Sequence, residues 1–166
     1  MTLATKRRCY EAGHRPKILV VIDETEECER AVYFAARRAK RQGAMVAMLA
    51  LIEPKDFQNW FSVGDVMREE AEAEATGHLD RHARRILEIA GIEPQRILRE
   101  GKASEEIQAL IAEDEDIALL ILAAGTGTEG PGPLVTQLAG KTAGTFPIPL
   151  MIVPGHLTDD EIDTLS

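Results

Sequence analysis

The sequence predicts an α/β domain built on a five-stranded parallel, doubly wound sheet with helices on both faces. Three observations carry that expectation. Continuous apolar runs such as KILVVI (17–22) and MVAMLALI (45–52) have the character of strands buried on both sides. Stretches of helical periodicity separate them. This strand–helix alternation persists through five strands, which requires parallel pairing and right-handed crossovers.

The first strand (17–22) ends at Asp23. Thr25 is placed to cap the following helix, with Glu26 and Glu27 in its first turn. Cys28, Val32, Ala35 and Ala39 form its apolar stripe, Arg37, Arg38, Lys40 and Arg41 suit its C-terminal end, and Gly43 closes it. Pro54 stops the second strand (45–52). The segment after it holds Phe57, Trp60 and Phe61, either folded back on the domain or forming a lid. A long helix is expected over 65–90, with Met67, Ala71, Ala75, Leu79, Ala83, Ile86 and Ala90 on its inner face and Gly91 at its end. A short strand (95–99) follows, then a helix capped by Ser104 that turns Ile107, Leu110 and Ile111 to the sheet. The fourth strand spans 117–122, the last helix 133–144 and the fifth strand 148–153. Residues 155–166 form a tail with at most one helical turn from Asp159.

The 166 residues suffice for one domain with its own core. The net charge is −9. Lys6, Arg7, Arg8, Arg15 and Lys17 against Glu11 give residues 1–17 a net +4, so the remainder carries −13. That acidic body argues against a nucleic-acid binder, and residues 1–16 are expected to be a solvated, flexible basic tail. Cys9 and Cys28 form no C-x-x-C pair, so neither a redox nor a metal motif is expected. No apolar run reaches the ~18 residues of a membrane span, and no signal-peptide core follows the basic start, so a cytoplasmic location is expected.

The segment from Ile117 to Val153 organises the chain: a buried strand, a glycine-rich loop, a helix and a second strand. Ligands of doubly wound sheets bind beyond the C-terminal strand ends where the strand order reverses. Asp23, Leu51 and the loop after Leu122 converge there. Gly125, Gly127, Gly130 and Gly132 make the loop flexible, Pro131 and Pro133 stiffen its exit, and the hydroxyls of Thr126, Thr128 or Thr136 could serve an anion.

KILVVIDETEECERAV at the first strand, GAMVAMLALIEP at the second, EGKASEEIQALIAEDED before the fourth and FPIPLMIV at the fifth resemble the universal stress protein family, over nearly the whole span 17–154. The resemblance implies a Rossmann-like, adenine nucleotide alpha hydrolase-like sandwich and a homodimer joined through the last strand, Ile148–Val153. Some members bind ATP or AMP and others do not. In those that do, an aspartate ending the first strand holds the adenosine, matched by Asp23, and a backbone group ending the second meets adenine, matched by Leu51. The phosphates lie on a G-x2-G-x9-G-S/T loop. Gly127, Gly130 and Gly140 fit its spacing, followed by Lys141. The family, however, sets the first glycine directly after the fourth strand with a proline 26 residues later, and from Pro149 that register falls on Ala123, Thr126, Thr136 and Gln137. The glycines then come four positions late, with Gly140 inside the last helix. A Cβ at 123 and 126 would crowd a phosphate pressed on the backbone.

Other readings fare worse. GKT at 140–142 lacks the P-loop's first glycine, because Val135 stands there. Small residues at 139, 140, 143 and 144 are read as close helix–sheet packing. A phospho-receiver would need an aspartate ending a central strand, and Glu53–Pro54 stands there instead. His14, His78, His82 and His156 lie away from the expected crevice, so no catalytic triad is expected. His78 and His82 have metal-binding i, i+4 spacing but no evident third ligand. The reading is a non-catalytic interaction module with a degenerate nucleotide loop; the alternative is an ATP- or AMP-dependent switch. The site residues are Asp23, Leu51, Gly125, Thr126, Gly127, Gly130, Thr136 and Gln137.

Overall fold

A computed structural model describes residues 6–54 and 61–166, with residues 61–63 described by their backbone. Strands β1 (Lys17–Ile22), β2 (Met45–Ile52), β3 (Gln95–Glu100), β4 (Ile117–Ala124) and β5 (Leu150–Pro154) form one sheet in the order β3-β2-β1-β4-β5. All four pairings are parallel. Helices α1 (Cys28–Gln42) and α2 (Phe61–Ala90) carry the chain from β1 out to β3. Helices α3 (Ala103–Glu113) and α4 (Pro133–Ala139) carry it back past β1 to β5, and α5 (Asp159–Leu165) follows. The strand order therefore reverses between β1 and β4.

Two apolar layers sandwich the sheet. Ile18, Val20 and Ile22 of β1 meet α1 and α2 on one face, together with Ile86 and the α5 residue Ile162. Leu19, Leu49 and Leu120 meet Ile107, Ile111 and Leu138 on the other. The alternation along β1 is the period of two that places successive side chains on opposite faces.

Both termini depart from the sequence expectation. Residues 6–16 lack regular structure and many are exposed, yet they are tied to the body. Arg8 N donates to Glu115 O at 2.9 Å, Arg7 reaches the carbonyls of Asp114 and Ile117, His14 Nδ1 lies 2.7 Å from Asp116 Oδ1, and Cys9 is buried. The basic residues find partners in the acidic turn Asp114–Asp116, an attraction that charge totals alone do not localise. After β5, Thr158 and Glu161 form a capping box, and α5 runs two turns. Asp159 pairs with Arg30, Asp163 with Arg37, and the Tyr33 hydroxyl donates to Asp163.

Other boundaries also move. Thr25 does not cap α1, because its N–H and hydroxyl both donate to Asp23 Oδ1 at 2.9 and 2.5 Å. Ser104 lies inside α3, and its hydroxyl accepts from Gln137 Nε2. Helix α4 ends at Ala139, and Gly140 is its C-cap with φ −87° and ψ −124°, not a residue within it. A side chain there would meet Thr136 O at 2.7 Å. Residues 139–145 are exposed, so the small residues are not packed on the sheet. The fifth strand starts at Leu150, two residues late, since Pro147 and Pro149 supply no N–H for pairing. Met67 is exposed instead of facing the core. Phe57 and Trp60, expected to fold back on the domain or to form a lid, lie outside the described residues. Among the described residues no helix is long and apolar enough to cross a membrane.

Candidate functional site

Two clefts flank the C-terminal end of β1. The first, about 360 Å³, opens between the ends of β1 and β2 and the side of α2. Ile22, Ala50, Leu51 and Ile52 form its floor, and Ala71 and Ala75 leave room along α2. Asp23, Glu24, Glu53, Glu74 and His78 supply its polar groups. The second, about 190 Å³, lies at the reversal point between β1 and β4. Val21, Asp23, Glu27, Cys28 and Leu122 line it, and residues 131–135 close it.

Asp23 borders both clefts, as its place at the end of β1 predicts, and Leu51 lies in the first. The loop residues go elsewhere: Gly125, Thr126, Gly127, Gly130, Thr136 and Gln137 line neither cleft. Thr136 donates its hydroxyl back to Gly132 O at 2.9 Å, and Gln137 turns to Ser104 on α3. Two backbone donors of the loop, at Gly125 and Gly130, and one at the start of α4 already bond to carbonyls. Gly125 N donates to Pro131 O at 3.0 Å, Gly130 N to Gly127 O at 3.2 Å, and Thr136 N to Gly132 O at 3.0 Å.

A carboxylate overlies that loop. Glu27 Oε1 lies 3.1 Å from where a Cβ on Gly125 would stand, so Gly125 provides the space that Glu27 fills. Among the described residues neither cleft has a Lys or Arg in its lining. An uncompensated phosphate chain would meet negative charge on both sides of β1.

The two α2 histidines diverge. His78, half-buried, faces the first cleft, contrary to the expectation that every histidine lies away from the crevice. Its ring Nε2 lies 3.9 Å from Glu74 Oε1. His82 is buried between α1 and α2, with Nε2 3.9 Å from Cys28 Sγ and Nδ1 3.6 Å from Glu29 Oε2. Burial holds the His82 pKa below its usual value, against the pull of Glu29. Burial likewise pushes the Cys28 thiol up to about 12, so it is protonated at neutral pH and a poor nucleophile. Among the described residues no group of three or more metal-type ligands comes together.

Sequence reasoning missed His78, Glu74 and Glu27 as lining residues. The heptad-like spacing of Ala71, Ala75 and His78 carries a signal for the first two, since residues flanking a small-residue stripe on α2 must edge whatever that stripe leaves open. Glu27 carries none, because its direction depends on where α1 begins.

A family model described as the universal stress protein family matches residues 14–154. Among solved structures, universal stress protein UspA from Lactobacillus plantarum superposes with a TM-score of 0.69 at 14% identity, covering 83% of this chain and 97% of that one. A universal stress protein in complex with cAMP superposes with a TM-score of 0.60 at 16% identity, covering 84% and 97%. The universal stress protein from Archaeoglobus fulgidus in complex with dAMP gives 0.59 at 18%, covering 83% and 97%. No match was found among curated proteins.

Proposed function

This chain belongs to the universal stress protein family, and on that premise we propose that it is a cytoplasmic, non-catalytic interaction module whose loop after β4 does not hold a nucleoside triphosphate. The observation that carries this reading is the Glu27 carboxylate lying over Gly125, within the loop after β4 that the family resemblance reads as the phosphate loop. The internal bonding of Gly125 and Gly130 N–H supports it, as does the absence of Lys and Arg among the described residues that line the two clefts. The homodimer is part of the reading. Among the described residues β5 is paired on one side, with β4, and Ile152 is 37% exposed on this edge strand.

A second reading has its own support. The cleft between β1 and β2 has an apolar floor and a volume suited to a nucleoside, with Asp23 at its rim. Solved structures of the same fold are complexes with cAMP and dAMP. On that reading the cleft takes an adenosine monophosphate through its base and sugar.

Mass spectrometry of small molecules released from the purified protein tests both. No adenine nucleotide is expected on the first reading, and AMP without ATP on the second. Recovery of stoichiometric ATP would overturn the first. If AMP binds, Asp23→Ala weakens it, and unchanged affinity in that variant contradicts the placement in this cleft.

A further inference from the structure

Helix α2 presents a face to solvent that its own fold does not explain. The helix has 30 residues, about 45 Å of length. Its inner stripe, with Leu79, Ala83 and Ile86, is buried against α1 and the sheet. Glu70, Glu74, Gly77, Arg81 and Arg84 follow one another at steps of four and three, so they share one face, and all five are exposed. Across these five positions charge is segregated, acidic before Gly77 and basic after it. Among the described residues neither Glu70 nor Arg84 has an ion-pair partner. Arg81 meets only the His78 ring, at 3.3 Å, and Glu74 approaches His78 no closer than 3.9 Å.

Gly77 itself has no intramolecular reason. A Cβ added there meets nothing within 4 Å, and its φ is not positive. A glycine inside a helix costs roughly 1 kcal/mol relative to alanine. Close approach of a second helix is a use for a bare backbone at that point.

We infer that this face of α2 packs against the same face of a second copy of the chain, antiparallel, with the two-fold axis at Gly77. A two-fold contact is self-complementary, so each residue before the axis meets one after it. Glu70 and Arg84 both stand seven residues from Gly77, about 10 Å along the axis, and each Glu70 meets the partner's Arg84. Glu74 and Arg81, three and four residues from the axis, meet in the same way. The contact therefore gains four ion pairs around a glycine crossing, with Ala73 beside it. Parallel pairing would set Glu70 on Glu70 and Arg84 on Arg84, which repel. Helix α2 covers β2 and β3, whereas β5 is the opposite sheet edge, so this contact and a β5 dimer can exist together or apart. Surface ion pairs are individually weak and screened by salt, so the contact is reversible and salt-sensitive.

Sedimentation of the whole protein at high concentration in low salt tests this. Arg84→Glu and Glu70→Arg each halve the assembled mass, by weakening the contact about tenfold or more, and the double swap Glu70→Arg/Arg84→Glu restores it. Halving applies whether the starting species is a dimer or a tetramer, so a failed β5 dimer does not hide the result. Gly77→Leu gives the second readout: the melting temperature holds or rises, because the monomer has space there, while association is lost. A mass unaffected by either charge reversal, no recovery in the double swap, or unchanged association in Gly77→Leu would overturn the inference.

Discussion

On one face of the sheet the two longest helices, α1 and α2, lie on an aliphatic layer with the short α5 beside them, and the cleft there is walled by a helix. On the other face α3 and α4 are shorter, and the cleft there is walled by a loop with Pro131, Gly132 and Pro133. The first cleft owes its shape to packing: Ala71 and Ala75 are small, so α2 stands off the ends of β1 and β2. The second owes its shape to a loop in which the Gly125 and Gly130 N–H groups bond to the loop's own carbonyls. The contrast teaches that glycine spacing alone does not make an anion cradle. A cradle also needs unpaired amides and a clear approach, and Glu27 occupies that approach.

The largest effect that would sharpen the contrast is on stability. Ile86→Ala, in the packed α2 layer, is expected to cost about 4 kcal/mol, and Leu138→Ala, on the seven-residue α4 where the surroundings can close in, about 2.5 kcal/mol. Urea denaturation measures both, and equal losses would remove the distinction between the faces. Next comes opening the second cleft. Glu27→Ala removes the carboxylate over Gly125 and is expected to raise affinity for ATP about tenfold while leaving adenosine unaffected, read by calorimetry. An unaltered ATP affinity would show that the loop, not Glu27, is the obstacle.

A pH effect follows from His82. Its folded pKa is lowered by burial, so below about the ordinary 6.5 the unfolded chain takes up a proton that the folded chain resists. Stability from this group is complete above pH 6.5 and is lost as pH falls through that value toward the lower folded pKa. Glu29, Arg81, His78, Asp23 and Cys28 all surround it, and Glu29 opposes the shift. Melting temperatures of the wild type and His82→Leu should diverge on acidification, with the variant falling less; parallel curves would refute the assignment. The smallest effect is at α5, where Thr158→Ala breaks the capping box and costs about 1 kcal/mol, seen as a lowered melting temperature.

Much of the first face was legible in the sequence. The limits of β1 and β2 and the stripe Cys28, Val32, Ala35, Ala39 agree with expectation, because apolar period and a Gly43 C-cap with φ 66° act locally. The family match and the all-parallel sheet agree as well. The second face was harder. The end of α4 depends on Gly140 leaving the helical region, at φ −87° and ψ −124°, and the two prolines before β5 delay its pairing, neither of which periodicity encodes. The docking of residues 6–16 and of α5 rests on ion pairs between residues about a hundred positions apart, such as Arg8 with Glu115 and Arg30 with Asp159. Asp23 and Leu51 were legible as strand ends at the crevice. Glu27 and His78 were not, since their roles depend on where helices start and which way they face.

The most direct test of the central claim is calorimetric titration of the purified protein with adenosine, AMP and ATP under the same conditions. The account predicts that the β- and γ-phosphates contribute nothing, so ATP binds no more tightly than AMP. ATP binding markedly tighter than AMP, and weakened by substitution of Gly127 or Gly130, would contradict it.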